Sequence, residues 1–434
     1  MRRLRWPTGG LWRHADFLKL WSAETISQFG SQIGQLALGL VAILVLDASA
    51  FEVSVLVTIL FVPFILFTLP AGVWVDRFPR RPILVLGDFG RFLLLATVPA
   101  AHVADVLSMW HLYVVGFLVG TCQVFFDVAY QSYLPSLVSR EEIVEGNSKF
   151  EVSRSAAQIS GPGVGGAIVE IFTAPFAVLL DALSFLVSGL FILGIRKREE
   201  HHVAEAQEQS PSLWADLKEG LRFVLGNSHL RAQAGCTATS NFFSSVAFSI
   251  FLVYVVRVLD LSPGVIGVVL SIGSVGSLIG AFTARRLSAR LGVGPTTVAA
   301  ALLWGPALLL IPLAPVDAPI PFLIAAQLLA GFLVVVYNIM AVSYRQALCP
   351  PRLQGRMNSV MRFLVWGTIP PGTLAGGALA TWVGLRETLV IGAVGAGAAF
   401  LFILLSPMRN VRDMPTEPLE FAPETPPAPQ PLGA

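Results

Sequence analysis

The sequence predicts an all-α membrane protein in which twelve transmembrane helices form two parallel six-helix repeats. Composition, the spacing of apolar segments and an internal repeat predict this fold class. Of the 434 residues, 55% are hydrophobic and only 13% are charged, whereas soluble domains carry roughly 25% charged residues. The three cysteines exclude a disulfide scaffold. The net charge of +2 gives no indication of a nucleic-acid partner.

Twelve segments are long and apolar enough to cross a bilayer as helices, which takes about 20 residues each. Charged or Pro- and Gly-rich breaks separate them, and they lack the alternation that transmembrane strands require. The predicted spans are 17–46, 52–75, 83–104, 111–138, 151–172, 175–195, 232–257, 264–290, 295–314, 319–347, 357–383 and 387–406.

The basic residues predict the orientation, because cytoplasmic loops carry an excess of Lys and Arg. Of the 29 Lys and Arg residues, only Arg257 and Arg386 fall in one set of alternate loops. We expect the others in the opposite loops, at the termini or at helix ends facing that side. An even number of spans places both termini there. The expectation is therefore a multi-pass plasma-membrane protein with cytoplasmic termini and an uncleaved first helix.

The chain contains two copies of one unit. A shift of 211 residues without gaps aligns 118–167 with 329–378, and twelve of these fifty positions are identical. The identities include a Ser-Tyr pair, an Asn-Ser pair and three registered glycines, which shared apolar composition does not explain. Parallel repeats about an axis normal to the membrane are one architecture of membrane transporters, so the duplication is itself a functional indication.

The repeat divides the chain into a first bundle (1–195), a linker (196–230), a second bundle (231–408) and a Pro-rich tail (409–434), which we expect to be disordered. Four apolar linker residues share a helical face, which predicts an amphipathic helix on the inner membrane surface. They are Trp214, Leu217, Leu221 and Val224. A gate or a partner-docking helix is the alternative.

Polar residues repeat along one face of the first span and along the matching face of the seventh. A shift of 213 places Glu24 on Thr237 and Gln28 on Asn241. Intramembrane polar groups tend to face the bundle interior or a water-filled path, so we expect one substrate cavity between the halves. The residues assigned to it are Glu24, Gln28, Gln32, Gln35, Thr237, Asn241, Ser245 and Asn338. Hydrogen bonding that only holds the bundle together is the alternative.

The four acids that lie well inside the predicted spans, away from the span ends, are all in the first half: Glu24, Asp88, Asp127 and Asp181. Asp88 lies three residues before Arg91, which predicts a local ion pair. Asp127 either carries a proton or pairs with Arg91 or with Arg154 of the fifth span. Glu24 lies on the polar face of the first span, which we call the first polar stripe; the matching face of the seventh span is the second. Asp181 could carry a proton or form an ion pair.

Two glycine-rich segments interrupt the fifth and eleventh spans at matching positions. Proline bends a membrane helix, and glycine lets a neighbour approach closely. We expect contacts that rock between conformations, with simple tight packing as the alternative. The residues are Gly161, Pro162, Gly165 and Gly166 in the first copy and Pro371, Gly372, Gly376 and Gly377 in the second.

The loop between the second and third spans reads Gly72-Val-Trp-Val-Asp-Arg-Phe-Pro-Arg-Arg81. It resembles the signature loop of the major facilitator superfamily, with Pro79 in place of the usual glycine. The segment that begins at Gly161 resembles the antiporter motif of the fifth span in that family. Both motifs stand at the matching places of a twelve-span repeated chain.

Within the superfamily, this loop, Phe126-Asp127 and Gln354-Gly355-Arg356 resemble the branch of macrolide-efflux and enterobactin-export proteins. The resemblance covers about 14–408. The arginine that drug antiporters carry in the fourth span has no counterpart in 118–127.

The resemblance implies the major facilitator fold and a conformational latch at the signature loop. The latch residues would be Gly72, Asp76, Arg77 and Arg81. In the family, such residues stabilise one state through contacts to the neighbouring half. Positive-inside anchoring is the alternative for the arginines.

The resemblance also implies a monomeric secondary transporter without cofactor or metal: a proton-coupled exporter of small amphipathic molecules, such as drugs or siderophores. Glu24, Asp127 and Asp181 are the candidate proton carriers. An importer or facilitator of a small nutrient is the alternative. A membrane enzyme or receptor is a third class, but the sequence lacks the common hydrolase, zinc and phosphate-loop motifs.

Overall fold

A computed structural model describes residues 10–197 and 213–415, which form helices and no strand. The helices of the first half are α1 (Ala15–Leu40), α2 (Ala50–Arg77), α3 (Arg80–Val103), α4 (Met109–Leu137), α5 (Ile143–Ile171) and α6 (Ala174–Leu193). The linker contains α7 (Leu213–Gly226). The helices of the second half are α8 (Ser228–Arg257), α9 (Pro263–Leu291), α10 (Val293–Leu313), α11 (Ile320–Leu348), α12 (Gln354–Trp366), α13 (Ile369–Val383), α14 (Leu385–Ala398) and α15 (Phe400–Leu404).

Ten of the described helical segments are long and apolar enough to cross a membrane. The other two predicted spans correspond to α5 and to α12 with α13, which are separated at Gly367 and Thr368. A π-helical turn, Val41–Val45, extends the first span. Each predicted span therefore coincides with helix, and the fold is consistent with the twelve-span count.

The two halves have equivalent turns after their first helices. The chain reverses at Asp47 after the first span and at Asp260 after the seventh, with left-handed φ values of 48° and 49°. In each turn, the residue after the aspartate donates its backbone N–H to the carbonyl six residues earlier, Ala42 at 2.9 Å or Val255 at 3.0 Å. The shift of 213 that aligns the polar stripes is thus a structural equivalence.

The two ends of the molecule differ in how the halves meet. We call the end that carries residues 10 and 415 the proximal end, and the end that carries the Asp47 and Asp260 turns the distal end. At the distal end, one hydrophobic core contains residues of both halves, such as Leu40 and Ile250. At the proximal end, each half has a core of its own. The halves are therefore joined distally.

Two equivalent helix pairs form the contact between the halves: α2 packs against α13, and α5 packs against α9. The Oγ1 atoms of Thr58 and Thr373 lie 2.6 Å apart across the first pair. The N–H of Gly163 donates to Ser271 Oγ at 3.0 Å across the second. Because α9 is the repeat mate of α2, and α13 that of α5, the interface has the twofold relation that the repeat predicts.

The linker contains a helix at the predicted place, and one side of it packs against the second half. Gly220, Phe223 and Val224 lie on the buried side, against α12 and α8, whereas Leu221 is exposed. The side chains of Trp214 and Leu217 lie outside the described part. The first turns of α12 supply an apolar surface to α7, which the sequence pattern alone does not show.

The predicted tail begins later than residue 409. The N–H of Gly294 donates to the carbonyl of Val411 at 2.8 Å, and the N–H of Val293 donates to the carbonyl of Arg412 at 3.1 Å. These bonds fix the chain after α15 to the start of α10. Residues 416–434, the rest of the predicted tail, lie outside the described residues.

Candidate functional site

Glu24 of α1 is the buried acid of the first polar stripe. Its Oε1 accepts a hydrogen bond from Gln28 Nε2 at 2.7 Å, whereas its Oε2 is buried without a hydrogen-bond partner. Among the described residues, no ion pair includes Glu24. An unpaired negative charge is costly to bury, so this carboxyl group needs a compensating proton or cation.

Arg91 of α3 is the buried cation of the first half. Its Nη2 lies 2.5 Å from Asp88 Oδ1, and the two side chains are 2% and 0% exposed. The guanidinium carbon lies 4.3 Å and 4.0 Å from the ring centroids of Phe126 and Phe185. Ser188 Oγ donates to Asp88 Oδ2 at 2.6 Å. The local pair is confirmed, but Arg91 lies in the middle of α3, so its expected place at a helix end is wrong.

Asp127 of α4 is linked to Arg91 through an amide. Gln123 accepts a hydrogen bond from Arg91 Nη1 and donates from Nε2 to Asp127 Oδ1 at 2.7 Å. Arg154 of α5 is exposed and forms no ion pair with Asp127 among the described residues. The sequence interpretation missed Gln123, although its i,i+4 spacing to Asp127 was a usable signal.

Asp181 of α6 is buried against α1. Gly30 and Gly34 leave the space that its carboxylate occupies, since a Cβ at Gly30 would lie 2.9 Å from Asp181 Oδ1. Ser184 Oγ donates to the Asp181 carbonyl at 2.7 Å. Asp181 is therefore a buried acid at a helix–helix contact, without an ion pair among the described residues, and its role as a proton carrier stays a prediction.

The rest of the first stripe is divided between contacts and exposure. Gln32 packs against α5, where a Cβ at Gly161 would lie 3.1 Å from Gln32 Cγ. Gln35 is exposed. Of the three glutamines, only Gln28 is hydrogen-bonded to Glu24. Glu24 and the glutamines therefore do not form one continuous polar surface.

The second stripe joins helices of the second half. Thr237 Oγ1 and Tyr337 Oη lie 2.7 Å apart, connecting α8 to α11. Asn241 Nδ2 donates to the Val365 carbonyl of α12 at 3.1 Å. Ser245 packs against α13. For these residues the structure favours the alternative of interhelical bonding over a free cavity surface.

Two polar side chains are exposed near the centres of long helices. Asn338 is exposed on α11 and Arg154 on α5. Polar groups at membrane depth are stable where they meet water or protein partners. Their exposure favours a wet gap between the halves, in which Arg154 is exposed along with Asn338, a residue of the predicted cavity lining.

Of the predicted latch residues, Arg81 makes a described contact within the first half. Arg81 Nε donates to the Ile192 carbonyl at 3.2 Å, and its Nη2 donates to the Leu193 carbonyl, so Arg81 holds the negative C-terminal end of α6. Arg77 is exposed, and a Cβ at Gly72 would meet open space. The side chain of Asp76 lies outside the described part. The contact to the other half implied for this loop stays a prediction.

The glycines of the first motif face two different partners. A Cβ at Gly165 would lie 3.1 Å from the Ile33 Cα of α1, in the same half. A Cβ at Gly166 would lie 3.0 Å from the Gly267 Cα of α9, in the other half. Pro162 lies within α5, which continues as one helix.

The second motif repeats this division. Gly372 and Gly376 face α8 of their own half, whereas a Cβ at Gly377 would lie 2.6 Å from the Ser54 Cβ of α2. The chain breaks before Pro371, between α12 and α13. Gly166 and Gly377 are therefore equivalent points of close approach between the halves.

Two polar contacts bridge the halves at the distal end. Arg257 Nη2 lies 2.6 Å from Asp47 Oδ1. Glu170 Oε2 accepts from Ser262 Oγ at 2.9 Å and from the Gly264 N–H at 2.6 Å. Together with the shared distal core, they close this end. The gap between the halves therefore opens toward the proximal end.

A duplicated helical bundle, closed at one end and lined by buried polar groups, defines a membrane transporter. Residues 10–428 match the MFS_3 family, described as transmembrane secretion effector. The chain belongs to this family, and it is a secondary transporter of the major facilitator type. The resemblance that the loop and glycine motifs indicated is confirmed, and the family and fold are those of transporters rather than enzymes.

Relatives with efflux names cover most of the chain. It is 27% identical over 358 residues to the multidrug efflux pump Tap of Mycolicibacterium fortuitum, which covers 79% of this chain and 84% of that protein. It is 26% identical over 359 residues to Tap of Mycobacterium tuberculosis, with 79% and 82% covered.

Solved structures share the fold at low identity. A bacterial homologue of the iron transporter ferroportin, in an inward-facing state, has a TM-score of 0.72 and 16% identity, and covers 92% of this chain and 99% of its own. The nucleoside transporter NupG has a TM-score of 0.70 and 12% identity, with 90% and 98% covered.

Proposed function

We propose that the chain is a proton-coupled exporter of small amphipathic molecules, working by alternating access as a monomer. The buried Glu24 carboxyl group, with one oxygen lacking a hydrogen-bond partner, carries the proposal. A proton compensates this group when the surrounding helices are closed over it, and is released when water reaches it. The efflux names of the relatives support the outward direction.

Substrate binds between the halves, near Glu24, Gln28, Arg154 and Asn338. Asp127 is the second proton carrier, because a proton on it removes its attraction to Arg154 and to the amide held by Arg91. Either protonation changes the charge of the gap and so the relative free energies of the two states. The halves rock about Gly166 and Gly377, where backbones meet without intervening side chains.

The distribution of Lys and Arg supports a cytoplasmic proximal end. The described structure then corresponds to the inward-open state, and the contacts of Asp47 and Glu170 close the outer side. In the opposite state, the loop that contains Asp76 closes the inner side. Replacement by Asp76→Asn is expected to abolish transport while the protein still reaches the membrane.

Inverted membrane vesicles test the proposal directly. In such vesicles, wild-type protein should drive an amphipathic cationic dye into the lumen when the lumen is acidified, and a protonophore should stop this uptake. Glu24→Gln should lose the gradient-driven uptake, because the residue can no longer exchange a proton, but should retain downhill dye exchange. Asp127→Asn gives this position the same amide side chain as its repeat mate, Asn338. It should reduce gradient-driven uptake in the same way.

Glu141→Gln is the matched control, since it makes the same carboxyl-to-amide change at an exposed position between α4 and α5. It should leave the response to the proton gradient unchanged. Gradient-driven uptake by Glu24→Gln at the wild-type rate would contradict coupling through Glu24. Dye movement only in right-side-out vesicles would instead identify an importer.

A further inference from the structure

The proximal end of the second half contains a groove that the transport cycle does not use. The groove is a cavity of about 470 Å³ between α8, α12 and the segment after α15. Apolar side chains line most of it, and Arg231 and Ser228 lie at its proximal mouth. The residues that define it are Ser228, Arg231, Gly235, Ala238, Leu364 and Phe402.

The same place in the first half is filled. The shift of 213 aligns Trp21 with Ala234, and the Trp21 indole donates to the Lys149 carbonyl of α5 at 3.4 Å. Trp12 packs edge-on against Trp21, with ring centroids 5.4 Å apart. The first half has two indole rings at this position, whereas the second half has the groove beside Ala234.

A polar contact has also been replaced. Thr25 and Ser153 of the first half are hydrogen-bonded, with their oxygens 3.0 Å apart. Their repeat mates are Ala238 and Leu364, which line the groove instead. The second half has therefore lost both the filling rings and the polar bond, and offers an apolar channel in their place.

The length of the groove matches one leaflet. From Ser228 to Ala238, α8 rises about 15 Å at 1.5 Å per residue, which is half of a hydrocarbon core of about 30 Å. Arg231 is exposed at the mouth, where its Nη1 donates to the Leu225 carbonyl at 3.1 Å. No acidic residue is among the described residues that line the groove.

We propose that this groove binds an anionic phospholipid of the proximal leaflet. The phosphate is held by Arg231 with Ser228, and an acyl chain lies along Gly235 and Ala238 toward Phe402. Charge complementarity selects an anionic head group, because basic pockets between membrane helices on the cytoplasmic side favour such lipids. The apolar channel of one-leaflet depth selects a lipid over a soluble anion.

Native mass spectrometry of the delipidated full chain tests the proposal, with phosphatidylglycerol or phosphatidylcholine added. Wild-type protein should retain phosphatidylglycerol about fivefold better, the factor that one arginine contributes near an anionic surface. Arg231→Gln should remove this preference. Ala238→Leu, which fills the groove, should reduce binding of both lipids, and helicity by circular dichroism would show that it folds.

Arg290→Gln is the matched control, because it removes an exposed arginine from the proximal end of α9 in the same half. It should keep the preference for the anionic lipid. Equal binding of both lipids by wild-type protein, or an equal loss in Arg290→Gln and Arg231→Gln, would overturn the proposal. So would an Ala238→Leu variant that alters the KM for dye while its lipid binding is unchanged. The measurement needs no transport, so its failure is separate from that of the exporter proposal.

Discussion

The two halves share one backbone plan but differ in the chemistry of their buried polar groups. In the first half, Asp88, Arg91, Gln123 and Asp127 form a continuous ionic chain across two helices. In the second half, the position equivalent to Asp127 is the uncharged Asn338. The contacts between helices there are neutral, such as that of Thr237 with Tyr337 and that of Trp304, the repeat mate of Arg91, with Ser244.

This difference shows that a duplicated transporter can carry its buried charges in one half alone. A twofold frame needs equivalent packing in both halves, and the glycines at the interface supply it. It does not need equivalent charges, since packing at the interface does not depend on the buried charges within each half. The comparison predicts that ionic substitutions in the first half cost more than neutral ones in the second.

The largest loss of stability is expected for Arg91→Gln. The change leaves the Asp88 carboxylate buried without its cation, which costs about 3–5 kcal/mol. Thermal unfolding in detergent, followed by circular dichroism, measures this loss. The double variant Asp88→Asn/Arg91→Gln should regain most of the stability, because it removes both charges. A single variant as stable as the double variant would contradict the ionic description of the first half.

Adjacent glycines of one motif should differ in what they disturb. Gly166→Ala places a methyl group against α9 of the other half, at a cost of about 1–3 kcal/mol for overpacking, so it should favour opening of the distal end. Gly165→Ala contacts α1 of its own half and should lower stability without changing the state.

Spin labels at Asp105 and Asp317, on exposed distal turns of the two halves, measure this opening as a longer distance in Gly166→Ala. Gly377→Ala should reproduce the effect from the other side of the interface. Equal distance distributions in Gly165→Ala and Gly166→Ala would remove the distinction between the two glycine faces.

A smaller effect is expected for Tyr337→Phe in the second half. It removes the hydrogen bond to Thr237 without leaving a charge, at a cost of about 1 kcal/mol. The equivalent residue of the first half is already a phenylalanine, Phe126. Thermal unfolding should show a loss well below that of Arg91→Gln, and dye uptake should be retained. A loss as large as that of Arg91→Gln would show that the halves do not differ as described.

The smallest effect is expected for Arg257→Gln at the distal end. Its ion pair with Asp47 is solvent-exposed, and such pairs contribute about 0–1 kcal/mol. The distal distance between the spin labels should shift slightly toward the open state, and high salt should shift the wild-type protein similarly. Arg386→Gln is the control, because Arg386 donates to the Pro312 carbonyl within its own half. A similar shift in that variant would exclude a specific role for Arg257.

The sequence interpretation was strongest where one periodic pattern meets one physical constraint. The length of the apolar segments predicted the membrane spans, and the glycines at matching positions of the two copies indicated a close interface. The sequence interpretation was weaker for the packing partner of each side chain, because a helical face does not reveal which helix packs against it. Asp181 and Glu24 looked alike as intramembrane acids, yet Asp181 is buried against Gly30 of a neighbouring helix and Glu24 lies beside Gln28 on its own.

The order of residues alone determined the membrane class, the duplication and its register, since these depend on local hydropathy and on distances along the chain. Only the tertiary structure decided that Gln123 stands between Arg91 and Asp127, that the halves are closed at the distal end, and that Gly166 faces a different helix from Gly165. These properties depend on which surfaces meet in space. The physical reason is that burial and pairing belong to the assembled bundle, whereas hydropathy belongs to each segment separately.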